Sequence, residues 1–548
     1  MQPRRRNRPF GAIPASGLSL VCIGVLAVGV SAAVAKVAST GSGKAAAPFV
    51  VNYAVPPATI DPGQVCSLED NGFVSSLYVT LVQYKAKPVP GAGAGITQED
   101  TTGFAPYLAK SWKITNGGKT YTFTLRSGAK FPDGKPMDAN AVKYTYQRLL
   151  TMGGCGAYFM SAGQGDPIIK AIQAPNPTTL VIQLTRPEAL LLHTLTQPNL
   201  GIVEPSLVEA NGGVQKGKPN QWLASHYAGG GPYVLESYDP SRQAVFAANP
   251  SFFGSKPLES KVIVNFITSD PTLLLQARSG NANITVGLTK KSVASLRSQS
   301  CCRVVSVSAP LWQLIGLPNE FPPFDNVKFR EALTYAVPYQ QILSKVAYGF
   351  GKIYYGPLPP AFTTFRAALE KPRAFDLAKA KELIGASGVK LPVNAEMVIR
   401  EGVNDQEQIA TIVQGVWKTL GVNLTIRKLA AGPYANAIYA DTKKYTLVRF
   451  DGPSVTDPEW LLEYDTRCNS MFNTSDYCNP TADALLNKTH SILDPAKRQA
   501  IWDQVTKMWV AASPRIPVYE DDYTIVLKKG VNHYYYAQDG FTLNKWGR

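Results

Sequence analysis

The stretch from residue 104 to residue 148 is FAPYLAKSWKITNGGKTYTFTLRSGAKFPDGKPMDANAVKYTYQR, and it lays out a strand, a turn and a helix in order. Within residues 119–126, apolar side chains alternate with threonines, which predicts a strand with one buried face. Asp133-Gly134 predicts the next turn. The carboxylate of Asp138 can accept hydrogen bonds from free backbone N–H groups, so we expect it to cap a helix that runs to Leu150.

Outside this stretch the chain mixes short strand patterns with longer helical ones. Strands are predicted over 49–55, 179–184 and 232–237, and helices over 70–84, 327–349, 376–387, 404–420 and 481–511. The absence of an internal repeat argues against a solenoid or a propeller. A single core rarely organises more than about 250–300 residues, so the 548 residues predict at least two α/β lobes.

The composition is that of a globular protein, with 45% hydrophobic and 17% charged residues. The formal net charge is +16, and four arginines lie in the first ten residues. Without them, 51 basic residues face 39 acidic ones, a net charge of +12. No dense Lys/Arg run follows, so nothing indicates a nucleic-acid partner. We interpret the charge as a scattered basic surface; a basic face held near an anionic envelope stays open.

The N-terminus has the pattern of an export signal. Its arginines precede an apolar stretch from Leu18 to Val34, and Ala33-Val34-Ala35 resembles a cleavage site. Residues 1–35 are therefore predicted to be a signal peptide. The apolar run of about 17 residues is at the lower limit for a membrane span, so an uncleaved N-terminal anchor is the alternative. Residues 36–48 are predicted to be a flexible tether. Either way, the protein is expected in the periplasm or at the outer face of the cytoplasmic membrane.

The cysteines agree with export. Six follow Cys22, and none of them shows a C-x-x-C or zinc-site spacing. An even number in an oxidising compartment indicates disulfides. We favour Cys468–Cys478, which closes a short loop, and then Cys66–Cys155. Sequence cannot fix the pairing, and buried free thiols remain the alternative.

Signatures of catalysis are missing from the sequence. It contains no G-x-S-x-G, no H-E-x-x-H and no Walker A loop, and its four histidines are scattered. We therefore assign no catalytic residue, no metal ligand and no cofactor, and we predict that the protein is not an enzyme. The 26 Tyr, 21 Phe and 8 Trp residues suit packed cores, and they also suit a ligand cleft with aromatic walls.

The opening stretch also carries a family resemblance. It matches P-x-L-A-x-S-W, then G-K-x-Y-x-F-x-L-R-x-G-x-K-F-x-D-G-x-P, then a helix that ends in Arg. In this it resembles the family-5 extracytoplasmic solute-binding proteins of ABC importers, which bind oligopeptides, dipeptides and nickel. Similar segments recur along about residues 49–530, namely TIDP at 59–62, GGGPY at 229–233, 322–336, 376–388 and Asp457-Pro458.

The resemblance implies a two-lobed periplasmic-binding-protein-like α/β fold (type II, cluster C) with an extra subdomain on the first lobe. Lobe 1 would comprise residues 49–80, 190–310 and 516–548, with the extra subdomain at 81–189 and lobe 2 at 311–515. The lobes would close on a peptide and deliver it to membrane permease subunits. A monomer is expected.

The resemblance also nominates residues for the cleft. They come from the loop after Asp61-Pro62, from two strands that cross between the lobes and from the second lobe. They are Cys66, Ser67, Leu68, Trp312, Asn319, Arg449, Asp451, Ser454, Asp457, Tyr519 and Glu520. A structural role in the core or on the surface is the alternative for each of them.

One position departs from the family pattern. Peptide binders carry W-x-x-D-x-x-D-P, in which the first Asp pairs with the peptide ammonium, whereas residues 451–458 are DGPSVTDP. Ser454 therefore stands where that carboxylate is expected, and a hydroxyl cannot replace it against a desolvated ammonium. Asp451 or Glu520 could take over this role. Otherwise the solute is a modified peptide or a non-peptide. An exported enzyme or an envelope structural protein is the more distant alternative.

Overall fold

The computed structural model describes residues 47–65, 67–162, 167–438, 444–452, 455–468, 470, 472–538 and 540–548. The predicted signal peptide at 1–35 and nearly all of the predicted tether at 36–48 lie outside these ranges. Everything below concerns the compact unit that begins at Pro48. None of the helices in the described ranges has the length and hydropathy that crossing a membrane requires.

The strands and helices follow one another as mixed α/β structure. The strands are β1 (Phe49–Tyr53), β2 (Val82–Pro88), β3 (Ile96–Pro106), β4 (Ala109–Thr115), β5 (Thr120–Leu125), β6 (Ile169–Asn176), β7 (Thr179–Leu184), β8 (Tyr233–Asp239), β9 (Gln243–Ala248), β10 (Lys261–Phe266), β11 (Ile284–Val286), β12 (Cys302–Gly316), β13 (Gly351–Lys352), β14 (Val393–Arg400), β15 (Val422–Leu429), β16 (Thr446–Asp451), β17 (Arg515–Lys528), β18 (Tyr534–Ala537) and β19 (Gly540–Phe541). The helices are α1 (Leu68–Val74), α2 (Ala139–Met152), α3 (Cys155–Met160), α4 (Leu191–Thr194), α5 (Pro205–Ala210), α6 (Asp270–Ser279), α7 (Lys290–Leu296), α8 (Val327–Tyr335), α9 (Tyr339–Lys345), α10 (Leu377–Ser387), α11 (Asn404–Lys418), α12 (Ala431–Ile438), α13 (Pro458–Thr466), α14 (Pro480–Thr489) and α15 (Pro495–Ala512).

One large sheet runs through the molecule. Within the described ranges its strand order is β15-β14-β16-β12-β17-β11-β1-β10-β9-β8, and β13 adds to β17. The long strands β12 and β17 pair antiparallel along their whole lengths at its centre. We call the side that carries β1 and β8–β11 the first lobe, and the side that carries β14–β16 the second lobe.

Two four-stranded sheets complete the first-lobe side. The order β4-β5-β7-β6 forms the sheet of an insert that separates β3 from β8 along the chain, and α2 packs on it. In this insert the alternation of β5 buries Tyr121, Phe123 and Leu125 on one face, as the sequence predicts. The order β19-β18-β3-β2 forms the second sheet, in which the C-terminal segment joins strands from near the N-terminus.

The quoted stretch folds largely as its sequence predicts. Asp138 caps α2 by accepting hydrogen bonds from the backbone N–H groups of Asn140 and Ala141 at 2.9 and 3.1 Å. The arginine that ends the motif, Arg148, pairs with Asp61 of the TIDP segment, and both side chains are fully buried. Two distant parts of the family pattern therefore meet in the core.

The helix predicted over 70–84 is wrong in its second half. Helix α1 ends at Val74, and β2 begins at Val82. Between them the backbone of Leu77, Val79 and Leu81 accepts hydrogen bonds from distant segments rather than from its own next turn. The β-branched residues of this stretch favour extended backbone, and those tertiary partners decide the outcome.

Proline breaks two of the other long helices that the sequence predicts. The predicted helix over 327–349 splits at Pro338 into α8 and α9, and the one over 481–511 splits before Pro495 into α14 and α15. Proline lacks the N–H that an interior helical position donates, but it suits a first turn. Helices α10 and α11 lie where the sequence predicts them.

Cys468 and Cys478 are disulfide-bonded. Cys155 is also disulfide-bonded, and Cys66 lies outside the described residues. Cys301 and Cys302 are free thiols.

Candidate functional site

The crossing strands β12 and β17 are irregular where they pass between the lobes. Ser308 pairs with Asp522 and Leu311 pairs with Asp521, so two residues of β12 have no partner in the register. Such a bulge re-aims side chains that a regular strand would send to opposite faces. On the partner strand β17, Asp521 and Asp522 both line the same cavity.

This interlobe cavity has a volume of about 210 Å³. Both lobes contribute walls, with Tyr53 and Gly287 on the first-lobe side and Phe450, from β16, on the second-lobe side. The described lining is Tyr53, Val55, Gly72, Val286, Gly287, Leu288, Lys290, Leu311, Phe450, Asp521, Asp522, Tyr523, Thr524, Tyr536, Ala537 and Gln538.

A buried ion pair lies in the cavity wall. The Nζ of Lys290 is 2.8 Å from Oδ1 of Asp521, and both side chains are at most 12% exposed. Burial raises the pKa of Asp521 to about 6, although the charge of Lys290 opposes the shift. Asp521 is therefore mostly ionised at neutral pH and neutralised by Lys290. Lys290 also donates to the backbone carbonyl of Asp522.

The second carboxylate, that of Asp522, is only partly engaged. Its Oδ2 accepts a hydrogen bond from Oγ of Ser306 at 2.6 Å. Its Oδ1 is buried and accepts no hydrogen bond from any protein group in the described ranges. Among the described lining residues, two carboxylates thus face one cation, Lys290. A cavity in which carboxylates outnumber cations suits a ligand that brings a positive charge and N–H donors.

Aromatic rings supply the apolar part of the cavity. Tyr523 and Tyr536 are in contact, with ring centroids 4.9 Å apart. Phe450 reaches in from the second lobe and is 40% exposed. Such rings offer broad apolar surface at low conformational cost.

Away from the cavity, aromatic contacts connect the second lobe to the insert. Trp460 of α13 stacks on Phe159 of α3, with centroids 5.2 Å apart and planes 13° apart. Tyr158 meets the same indole edge-on at 5.7 Å. Trp460 is 4% exposed and belongs, with Val455, to the hydrophobic cluster of the insert. The second lobe and the insert are therefore in contact.

An ionic cluster lies at the same boundary. Oxygen and nitrogen atoms of Glu188, Glu459 and His490 lie within 4.8 Å of one another, close enough to hold a metal ion. However, Arg498 already approaches Oε2 of Glu459 at 3.2 Å and Oδ2 of Asp457 at 3.4 Å. Because guanidinium and imidazolium groups balance these carboxylates, we interpret the cluster as an ion-pair network.

Comparison with known proteins shows what this architecture is. Residues 103–473 match the family described as "Bacterial extracellular solute-binding proteins, family 5 Middle". The chain belongs to this solute-binding family. The family resemblance inferred from the motifs is thereby confirmed.

Individual relatives of the family-5 protein align over most of its length. The "Probable D,D-dipeptide-binding periplasmic protein DdpA" of Escherichia coli strain K12 is 26% identical over 486 residues, which cover 88% of this chain and 90% of that protein. "Heme-binding protein A" of Haemophilus influenzae is 23% identical and covers 82% of each chain. The Helicobacter pylori periplasmic binding protein DppA, solved with the peptide STSA, superposes with a TM-score of 0.74 at 22% identity and covers 91% of this chain and 97% of that one. The expected two-lobed α/β fold is confirmed.

Two of the nominated residues lie on the crossing strands of the family-5 protein, and a third lies on the neighbouring strand β16. Trp312 of β12 pairs in register with Asp451 of β16 and with Glu520 of β17. Trp312 is completely buried in a second-lobe cluster. Trp312 and Glu520 are not part of the described lining of the interlobe cavity.

Both carboxylate oxygens of Glu520 have hydrogen-bond partners within the protein. Its carboxylate accepts hydrogen bonds from the hydroxyl of Ser308 and the backbone N–H of Ala361, both at 2.5 Å, and it is completely buried. Burial raises its pKa to about 7, and these hydrogen bonds oppose the shift. Lys352 approaches at 3.9 Å. Glu520 thus has fewer free acceptor positions for a solute than Asp522 has.

Three further nominated residues have structural partners. Tyr519 is completely buried in the second-lobe core, on the other face of β17 from Glu520. The amide of Asn319 donates to the carbonyls of Leu317 and Pro514 at 2.6 and 2.7 Å. Arg449 is 4% exposed, and its Nη1 lies 3.4 Å from the carbonyl of Phe472.

The remaining nominations fall at helix starts or outside the described residues. The hydroxyl of Ser67 caps α1 by accepting from the N–H of Asp70 at 3.0 Å, and Leu68 is the first residue of that helix. Asp457 caps α13 and contacts His193 of the insert at 3.3 Å. Cys66 and Ser454 lie outside the described residues, so their nomination stays a prediction.

The described cavity lining includes sequence neighbours of three nominated residues, and the role of the nominated residues themselves stays a prediction. Leu311, Phe450 and Asp521 line the cavity, and each is adjacent to a nominated residue. Pro310 lies within β12, and proline inside a strand indicates a bulge, so the sequence carries a signal of the irregularity beside Leu311.

Proposed function

We propose that this family-5 protein captures short peptides in the interlobe cavity and delivers them to the permease of an ABC importer. The observation that carries the proposal is the buried, unpartnered Oδ1 of Asp522 beside the neutralised Lys290–Asp521 pair. A peptide ammonium placed there would form a charge-assisted hydrogen bond with a carboxylate already desolvated by the protein.

The size of the cavity favours short solutes. Its volume of about 210 Å³ is below the roughly 300–1,000 Å³ typical of sites for drug-sized ligands. Tyr523, Tyr536 and Phe450 offer apolar surface to side chains of varied shape. A relative is named for binding a D,D-dipeptide, and a solved structure of the same fold holds a four-residue peptide.

The cellular setting follows from the family and the N-terminus. The protein acts outside the cytoplasm, after export directed by residues 1–35, which are cleaved or retained as an anchor. It works as a monomeric receptor and not as an enzyme, with lobe 1, the extra subdomain and lobe 2 bounded as the sequence predicts. The stacking of Trp460 on Phe159 supports a receptor that closes, because it joins the second lobe to the insert.

A modified peptide or a non-peptide solute is the second candidate. It is favoured by Ser454, which stands where peptide binders carry an ammonium-binding Asp. Heme-binding protein A shows that relatives are named for other solutes.

Native mass spectrometry of the protein purified with its own ligand separates the two candidates. A set of masses that fits several short peptides supports peptide capture. A single non-peptide mass contradicts it and favours the second candidate.

A further inference from the structure

A second, larger cavity lies in the first-lobe half of the molecule. Its volume is about 570 Å³, and its walls come from β2, β3, β18, the end of β5 and the loop after β9. Along β18, Tyr535 lines this cavity, whereas Tyr536 lines the interlobe cavity. Successive side chains of a strand point to opposite faces. We call this second space the rear cavity, since it lies behind the sheet that borders the interlobe cavity.

Positive charge dominates the lining of the rear cavity. Its described lining includes the cations Arg126, Lys256 and Lys545 and a single carboxylate, that of Glu99. Burial raises the pKa of Glu99 to about 7, and the charge of Lys545 opposes the shift. The backbone N–H of Gln538, which donates to Glu99 at 3.2 Å, also opposes this shift in the pKa of Glu99. Arg126 and Lys256 form no ion pair with a carboxylate in the described ranges, and so they favour an anionic occupant.

Aromatic rings form another part of the wall. Tyr107 contacts Phe253 with centroids 5.8 Å apart, and the guanidinium of Arg126 lies 5.5 Å above the same phenylalanine. On the opposite wall the ammonium of Lys545 lies 3.7 Å from the ring centroid of Tyr535. Rings alternating with cations suit a flat, anionic molecule, which can stack on the rings while its charge faces the cations.

The rear cavity also contains buried acceptors without partners. Oε1 of Gln197, Oγ1 of Thr542 and Oδ1 of Asn544 are buried and make no hydrogen bond with any described protein group. All three residues line the cavity, and Gln197 is only 1% exposed. Buried polar atoms are normally satisfied, by protein, water or ligand. An occupant that carries O–H or N–H groups would satisfy them.

We propose that the rear cavity is a second binding site, which takes a small aromatic carboxylate bearing hydroxyl or amino groups. The carboxylate would face Arg126 and Lys256, and the ring would pack against Tyr107 and Phe253. The donor groups would reach Gln197 and Asn544. This inference does not rest on peptide capture, because the two cavities share only Ala537 in their described linings.

The test is a calorimetric titration of the full-length protein with 4-hydroxycinnamate, which has the ring, the carboxylate and a hydroxyl but no ammonium. The titration is repeated with the interlobe cavity saturated by L-alanyl-L-phenylalanine. Two variants probe the rear cavity. Thr97→Trp, on β3, fills it, and Lys256→Gln removes an exposed cation at its rim. Lys170→Gln, an exposed position on β6 outside the lining, is the matched control.

We expect 4-hydroxycinnamate to bind once per chain, with or without the dipeptide. Thr97→Trp should abolish binding, and Lys256→Gln should weaken it about fivefold, as removal of one rim charge does. Lys170→Gln should leave it unchanged. No binding to the wild-type protein, or binding that the dipeptide displaces and Thr97→Trp leaves intact, overturns the proposal. A protein that binds 4-hydroxycinnamate but no dipeptide would contradict peptide capture alone.

Discussion

His490 of the second lobe and Glu188 of the insert face each other across the lobe boundary, with Nδ1 and Oε2 3.3 Å apart. Both side chains are buried, and the backbone N–H of Ala189 donates to the carbonyl of His490 at 2.9 Å. Nε2 of the same imidazole lies 3.1 Å from Oε1 of Glu463. His490 therefore connects the carboxylate of Glu188 in the insert with that of Glu463 in the second lobe. The strength of this contact depends on the charge of the imidazole.

The stability of this boundary should depend on pH. Burial alone would lower the pKa of His490, but hydrogen bonds to Glu188 and Glu463 and the charges of Glu188 and Glu459 raise it from 6.5 to about 9. A raised pKa in the folded state stabilises the protein below pH 6.5 and loses that contribution as pH rises through about 9. We expect thermal scans from pH 7 to pH 10 to show a falling melting temperature.

His490→Gln should flatten that pH dependence, because glutamine does not titrate. His226→Gln, at an exposed histidine of the first lobe, should keep the wild-type profile. A His490→Gln profile as steep as that of the wild type would mean that another group controls the loss of stability.

Asp522→Asn should weaken binding of a dipeptide with a free N-terminus. Removing one partner of a buried charge pair typically costs about 2–5 kcal/mol. An N-acetylated dipeptide, which lacks the ammonium, should bind weakly to the wild type and to Asp522→Asn, with equal affinity. Isothermal calorimetry with both ligands measures the difference. Asp239→Asn, at an exposed aspartate outside the cavity lining, is the control.

Asp451→Ala tests the sequence-based alternative for the ammonium partner. If Asp451 binds the ammonium, its loss costs about 2–5 kcal/mol of peptide affinity. If Asp522 binds the ammonium instead, the peptide affinity of the Asp451→Ala variant stays near that of the wild type. The same calorimetric titration, with the two variants side by side, assigns the role to one aspartate.

Trp460→Ala should shift the protein towards an open form. The indole leaves Phe159 and Tyr158 when the lobes separate, so its contacts stabilise only the closed form. We expect the radius of gyration from X-ray scattering to increase and solute affinity to fall about tenfold, which corresponds to about 1.4 kcal/mol. Trp222→Ala removes an indole that stacks on His226 within the first lobe and should change neither quantity.

Arg148→Met should strongly destabilise the protein, because it leaves the carboxylate of Asp61 buried without its cation. Such a loss costs about 3–5 kcal/mol. Guanidinium denaturation of the variant measures it. The double change Asp61→Asn with Arg148→Met should recover most of the loss, whereas Gln147→Met, at an exposed position of the same helix, should be neutral.

The sequence predicted the local structure well where local signals and tertiary contacts agree. The alternation in β5 and the capping aspartate of α2 are examples, since both the strand face and the helix start depend on neighbouring residues. It failed over residues 75–84, where apolar spacing suggested a helix but distant backbone groups supply the hydrogen bonds. A single sequence does not contain the positions of such distant partners.

For the candidate site, the limit was the direction of side chains. The motif spacing placed Trp312 and Glu520 on the crossing strands, and they pair there. It could not show that β12 bulges beside Leu311, or that Asp521 and Asp522 both line the cavity. A bulge changes which face each later residue occupies, and its place depends on the pairing of two strands about 200 residues apart.

By itself, the sequence determined the family, the mixed α/β fold and the expectation of export, because long motifs, periodicity and an N-terminal signal are properties of contiguous residues. Only the tertiary structure decided which side chains share a cavity. Asp522 and Lys290 meet there although they are far apart in the chain. Their charges interact through a few ångströms of buried space, and that proximity exists only once both lobes have folded.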